Sequence, residues 1–154
     1  MKDIETLFCL YRDSVYRLAL SYTRSPQEAE DICQTVFLKL LGADITPGKE
    51  KAWLMQVTAN ACRSLLRSHW WQRTVPLEDG FRETLPEGNA VLNAVMELMP
   101  KYRVVVYLHY YEGCSTEEIG RLLHISRSAV TTRLNRARNM LKDRLQEDGS
   151  WKIR

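Results

Sequence analysis

The chain is expected to be all-α: two small helical domains joined by a short acidic linker, the second containing a helix-turn-helix. Three observations predict this. Apolar residues recur at steps of three and four along nearly the whole chain, and no segment alternates every second residue between hairpin turns. The helical period fails once, over residues 74–89, where VPLEDGFRETLPEGN holds two prolines, two glycines and a net negative charge, the composition of a tether. Residues 114–141, CSTEEIGRLLHISRSAVTTRLNRARNML, hold two amphipathic segments separated by a short break. The expected organisation is therefore a domain over 1–73, a linker over 74–89 and a domain over 90–147.

The first helix is marked by Leu7, Leu10, Tyr11, Ser14, Val15, Leu18 and Tyr22. Ser25 and Pro26 stop it and open the next, because proline fits a first helical turn, where its missing N–H costs nothing. Ala29, Ile32, Cys33, Val36, Phe37, Leu40 and Leu41 form the second stripe, and Gly42 to Gly48 is a loop with a turn at Pro47 and Gly48. A third helix is expected from about Glu50 to Trp70, with Leu54, Val57, Ala61 and Leu65 inward and Trp53 in the core. After the tether, Val91, Leu92, Val95, Met96 and Met99 restore the helical period until Pro100 interrupts it. Residues 102–111 are β-branched enough to suggest a strand, yet both flanks are helical and no partner strand exists, so a helix is expected.

Ser115 and Glu118 have the spacing of a capping box, which starts a helix near Thr116 with Ile119, Leu122 and Leu123 inward. His124, Ile125 and Ser126 break it, and Ser126 can cap a second helix. There Val130, Leu134, Ala137 and Leu141 share one side. Ser128, Thr131, Thr132, Asn135 and Asn139 lie opposite, with Arg136 at the border. Six basic residues and one acid stand between Arg127 and Arg144. A helix anchored on one side and bearing hydroxyl, amide and guanidinium groups on the other suits a DNA major groove.

Composition limits the alternatives. At 154 residues, 45% hydrophobic and 27% charged, the chain is of ordinary globular type. Its net charge of +3 is unevenly spread: −3 over 28–48, +4 over 49–73, −4 over 74–100, zero over 101–126 and +5 over 127–144. Separate blocks of opposite sign point to different partners at different places. Cys9, Cys33, Cys62 and Cys114 form no CxxC pair and no zinc-ligand spacing with His69, His109 or His124. Each lies on or beside an apolar stripe, so buried free thiols in a reducing cytoplasm are expected. The N-terminus lacks the apolar core of a signal peptide, and the longest apolar run, Val104 to Leu108, is far too short to span a membrane.

Two other constellations stand out. Glu28, Glu30, Asp31 and Gln34 share the polar side of the second helix, either as a docking face for a basic partner or as a solvated face favoured near the positive end of the helix dipole. The third helix ends in Arg63, Arg67, His69, Trp70, Trp71 and Arg73. Such a cluster suits stacked bases and phosphates, although the tryptophans could equally cap the core. No phosphate loop, nucleophile–base pair or metal cluster is visible, so neither enzymatic activity nor a cofactor or small-molecule substrate is expected.

In order, EAEDICQTVFLKL, KAWLMQVTANACRSLLR, a tether and LMPKYRVVVYLHYYEGCSTEEIGRLLHISRSAVTTRLNRAR resemble the extracytoplasmic-function (ECF) group of bacterial RNA polymerase sigma factors, from about Leu7 to Leu145. The resemblance implies two helical domains, region 2 and region 4. It also implies a cytoplasmic protein whose partners are core polymerase, through the β′ clamp helices and the β flap, promoter DNA, and an anti-sigma factor. Glu30, Asp31 and Gln34 then stand where the family docks on polymerase, with Thr35 where an acid is common. Asn60 matches a position lining the pocket for a flipped-out base of the melted minus-ten element. The loop over 42–49 matches the family's specificity loop. Arg63, Arg67, Trp70 and Arg73 would hold the promoter. In region 4, Thr131, Thr132, Asn135 and Arg136 occupy positions that contact the minus-thirty-five element, beside Ser128, with Thr131 where the family usually has a cation. Arg127, Arg133 and Arg138 would contact phosphates. The competing interpretations are an autonomous, dimeric helix-turn-helix regulator with a ligand-sensing N-terminal module, and a nucleic-acid-modifying enzyme. The polar faces of residues 28–73 argue against the first, the missing catalytic constellation against the second.

Overall fold

The computed structural model describes residues 3–68 and 90–147, and the chain divides into two compact units, Met1–Leu77 and Glu78–Arg154. Among the described residues every regular element is a helix. The expected linker over 74–89 lies outside them, as do His69, Trp70, Trp71, Arg73 and Trp151.

The first unit packs three helices, α1 (Ile4–Thr23), α2 (Pro26–Leu41) and α3 (Glu50–Ser68), each against the other two. Asp3 caps α1 by accepting from the Thr6 N–H at 3.3 Å. The helix ends where Arg24 turns left-handed at φ 54 and returns its N–H to the Leu20 carbonyl. Ser25 then caps α2 through the Glu28 N–H at 3.2 Å, with Pro26 in the first turn. Val15, Leu18, Ala19, Val36, Leu40, Leu54 and Cys62 form the centre of this core. In the α2–α3 loop, the Lys49 N–H donates to the Thr46 carbonyl at 3.0 Å, and Gly48 takes φ +87 behind Pro47. A type II turn, with proline second, needs that positive φ at its third residue, where glycine meets no steric penalty.

Several expected inward positions face out. Leu10 and Leu41 are 62% and 61% exposed; each lies roughly 100° around its helix from the centre of the buried stripe. The buried face of α3 is Leu54, Met55, Thr58, Ala59 and Cys62, while Val57, Ala61, Leu65 and Trp53 are half-buried. Thr58 sits fully inside this face because it donates its hydroxyl to the Leu54 carbonyl at 2.6 Å, which satisfies its polar group. Of the cysteines, Cys33 and Cys62 are buried, but Cys9 is exposed and Cys114 half-buried. Proximity to an apolar stripe did not place the last two beneath it.

The second unit contains α4 (Ala90–Met96), α5 (Pro100–Val106), α6 (Thr116–Leu123) and α7 (Arg127–Glu147). Its core joins Ala94, Val95 and Leu98 to Tyr102, Val106, Ala137, Leu141 and Leu145. Val91 and Met99, expected inward, are 50% and 60% exposed; Ala94 and Leu98 fill the interior instead. The β-branched run is helical as expected, and Val104, Val105 and Val106 are buried. Its last five residues, Tyr107–Tyr111, form a π-helical turn, with the Glu112 N–H reaching back to the Tyr107 carbonyl at 3.2 Å. Arg103 is 1% exposed, and its Nη1 donates to the carbonyls of Leu98 (2.7 Å) and Met96 (3.4 Å). A cation thus satisfies carbonyls left over at the end of α4, where the macrodipole is negative.

Candidate nucleic-acid interface

The turn between α6 and α7 is built from backbone constraints. Ser115 Oγ accepts from the Glu118 N–H at 3.1 Å, while the Ser115 N–H donates to Glu118 Oε1 at 3.2 Å, completing the capping box. These contacts hold the Glu118 carboxyl below its ordinary range, the Ser115 N–H being the main cause. α6 ends at His124, left-handed at φ 58, and the Ile125 N–H returns to the Gly120 carbonyl at 3.0 Å. The chain reverses so tightly that a Cβ on Gly120 would lie 2.8 Å from the Ile125 carbonyl oxygen. Ser126 caps α7 by accepting from the Ala129 N–H at 3.0 Å.

α7 is therefore fixed at its start and anchored along one side by Val130, Leu134, Ala137, Leu141 and Leu145. On its outer side Arg127, Ser128, Thr131, Thr132, Asn135 and Arg136 are all exposed; Arg133 is half-buried at the border. Three of these are already engaged, Asn135 by Arg138 at 3.1 Å. Thr131 donates its hydroxyl to the Arg127 carbonyl at 3.1 Å, so outward it offers its methyl and oxygen lone pairs rather than a proton. The Arg136 guanidinium stands close enough to the Tyr102 phenol to act on its ionisation. Burial pushes that phenol up, but the neighbouring cations Arg136 and Lys101 outweigh it and leave it below its ordinary value. Arg144 is paired with Glu97 of the α4–α5 connection at 2.6 Å, which removes one cation from the outer face.

In the first unit, Glu30, Asp31 and Gln34 are exposed together on α2. Exposed Leu38 and Leu41 continue the same side toward its end, giving a surface acidic at one end and apolar at the other. Thr35 donates to the Asp31 carbonyl at 3.0 Å. A second group sits on α3: exposed Asn60 accepts at Oδ1 from Gln56 Nε2 at 3.0 Å and from Arg63 Nη2. Arg63 is half-buried, and exposed Arg67 donates to Ser64 at 3.3 Å rather than joining that group. Gln56 and Tyr102 escaped the sequence reading because each acts through a neighbour; their spacing to Asn60, and their place on a stripe, gave the available signals. Among the described residues no group of three or more His, Cys, Asp and Glu could hold a metal ion, and no helix is long and apolar enough to cross a membrane.

A capped helix-turn-helix with an apolar-anchored, polar-faced second helix, preceded by a three-helix unit with an exposed polar face, defines a nucleic-acid-binding class. Comparison with known proteins is specific. Residues 7–72 match Sigma-70 region 2, and residues 88–141 match Sigma-70, region 4. The chain is 31% identical over 165 residues to the ECF RNA polymerase sigma factor SigE of Mycolicibacterium smegmatis, covering 97% of this chain and 64% of that protein. It is 32% identical over 158 residues to the RNA polymerase sigma factor CarQ of Myxococcus xanthus, covering 93% and 89%. The sigma factor RpoE, solved in complex with the anti-sigma factor NepR from Bartonella quintana, shares the fold with a TM-score of 0.74 at 21% identity, over 96% of this chain and 99% of that one. The chain belongs to the sigma-70 family as an RNA polymerase sigma factor of the ECF type.

Proposed function

We propose that the chain docks on core RNA polymerase, meeting the β′ clamp helices through Glu30, Asp31 and Gln34 and contacting the β flap besides, and directs initiation in the cytoplasm without a covalent step, a cofactor or a small-molecule substrate. The minus-ten element is captured in the first domain, over 1–73, where Asn60 reads a flipped-out base and Arg63, Arg67, Trp70 and Arg73 hold the strand. The minus-thirty-five element is read by α7 in the second domain, over 90–147. Ser128, Thr131, Thr132, Asn135 and Arg136 face the major groove, and Arg127 and Arg133 contact phosphates. The linker over 74–89 makes the second contact intramolecular once the first has formed, raising its effective concentration. An anti-sigma factor is the partner that holds the chain inactive.

One observation carries this assignment: α7 is anchored by an unbroken apolar stripe while its opposite face is exposed and largely uncharged, so base edges can be read as well as phosphates. The deciding experiment mixes the purified chain with core polymerase and a promoter from upstream of its own gene. Promoter-specific transcripts are expected only when both proteins are present, and Asp31→Arg is expected to lose association with core while keeping the helical circular dichroism of the parent. Tight duplex binding by the chain alone, with no association with core, would instead identify an autonomous regulator.

A further inference from the structure

Asn135 is held in one orientation by a relay that begins outside the recognition helix. Its Oδ1 accepts from Arg138 Nη1 at 3.1 Å. A guanidinium carries donors only, so the carboxamide must turn its oxygen, and not its nitrogen, toward Arg138. Arg138 is held in turn from its other side. Its Nε donates to the Tyr110 hydroxyl, and its guanidinium carbon lies 5.7 Å from the centre of the Tyr110 ring. Tyr110 packs edge-on against His109, with centroids 4.9 Å apart and planes at 83°, and His109 Nδ1 is bonded to the Cys114 carbonyl at 3.0 Å. The relay thus runs from the backbone just before α6, across the π-helical turn, to an amide on the outer face of α7.

We propose that Tyr110 and Arg138 are positioning residues that make Asn135 a hydrogen-bond donor toward DNA, so that it selects guanine over adenine at one position of the upstream promoter element. This rests on the reading that α7 enters the major groove. Asparagine recognises adenine with both poles of its amide, the oxygen accepting from N6 and the nitrogen donating to N7. Here a charged donor holds one of the oxygen's two lone pairs, which weakens that oxygen as an acceptor for N6 and polarises the amide, so the Nδ2 hydrogens are the stronger pole toward the groove. Guanine presents two acceptors, N7 and O6, and asks nothing of the oxygen. Tyr110 takes part twice over: its hydroxyl oxygen accepts from Arg138, while its own proton remains available to a DNA phosphate.

The test uses the full chain with core polymerase on a promoter library randomised through the upstream element, with transcripts sequenced. Asn135→Ala is expected to erase selection at one position and so identify it. There the parent favours guanine over adenine. Arg138→Met, which removes the donor but keeps much of the stem, shifts that ratio toward adenine by about fivefold, the lower end of what one base contact discriminates. Tyr110→Phe shifts it the same way by less, because the ring stays. Base preferences at the other positions are unchanged in both variants, which a purely structural role would not produce. An adenine preference in the parent overturns the inference, as does a uniform loss of transcription or an unaltered base profile in both variants. Absence of base selection in the parent overturns the major-groove reading and this inference with it. Selection that responds to Asn135→Ala but not to the other two variants overturns this inference alone.

Discussion

Arg103 allows the second unit to be tested quantitatively. Its guanidinium is sealed from solvent and donates to the carbonyl of Leu98 at 2.7 Å and to that of Met96 at 3.4 Å. A hydrogen bond from a charged donor contributes about 1.5–3 kcal/mol net of desolvation; the short bond belongs in that range and the long one adds little. Alanine keeps Cβ, so two buried methylenes, Cγ and Cδ, are lost at about 0.8 kcal/mol each. Arg103→Ala is therefore expected to cost about 4 kcal/mol, and Arg103→Met, which keeps the stem and loses the donors, about 2 kcal/mol. At about 0.05–0.15 kcal/mol per residue, a domain of this size has only about 3–9 kcal/mol in total, so the alanine variant stands near unfolding. Backbone hydrogen exchange read by mass spectrometry separates the two units. Protection should fall about a thousandfold in α5 and α7 for the alanine variant and about thirtyfold for the methionine variant, with α1 to α3 unchanged. If Arg103→Met exchanges as slowly as the parent, the carbonyls need no cation and the reasoning fails.

Three further perturbations address the interface and the cores. Arg136→Ala is expected to weaken use of the upstream element by about 1–3 kcal/mol, measured as promoter discrimination in transcription with core polymerase; unchanged discrimination would remove its base-reading role. The Glu118 carboxyl is held below its ordinary range, chiefly by the Ser115 N–H, so its contribution is present above the unfolded value of about 4.3 and is lost as the pH falls through the folded one. Protection of the first turn of α6 should drop at acid pH in the parent and stay flat in Glu118→Gln. Burial pushes the thiols of Cys33 and Cys62 up to about 11 and about 12. With iodoacetamide at pH 8, Cys9 should therefore react readily while these two stay unmodified until the protein is unfolded; rapid labelling of Cys62 would contradict its place in the core.

Much of this was legible in the chain because local chemistry and tertiary structure agreed. Ser25 with Pro26, Ser115 with Glu118, and the stripe from Val130 to Leu141 each specify a local geometry that packing then keeps. What was not legible depended on a partner distant in sequence or on a polar group satisfied internally. Arg103 reads as surface because a cation normally avoids the interior; only the leftover carbonyls of Met96 and Leu98 make burial favourable. Thr58 is buried for a similar reason, since its bond to Leu54 satisfies its hydroxyl and lets it share the inward face of α3. For the candidate interface, helical angles placed the outer residues of α7 correctly on the exposed side, yet could not reveal that Tyr102 engages Arg136 or that Arg138 engages Asn135. Tyr110 and Arg138 are 28 positions apart, beyond any local pattern.

The π-helical turn at Tyr107–Tyr111 bears on how this chain can change length. A π turn spends one more residue per hydrogen-bonded loop than an α turn, so it holds one residue more than the path requires. Removing a residue there would let the α-helix run through to Glu112 while the segments before and after keep their positions. The residue best placed to be lost lies at the exposed edge, at Tyr110 or Tyr111, and not among the buried valines. This is a point at which one residue can be gained or lost without repacking the interior. Tyr110 is also the residue that steadies Arg138, so a length change at this point would alter the hydrogen-bonding surface of a helix that begins seventeen residues further along at Arg127.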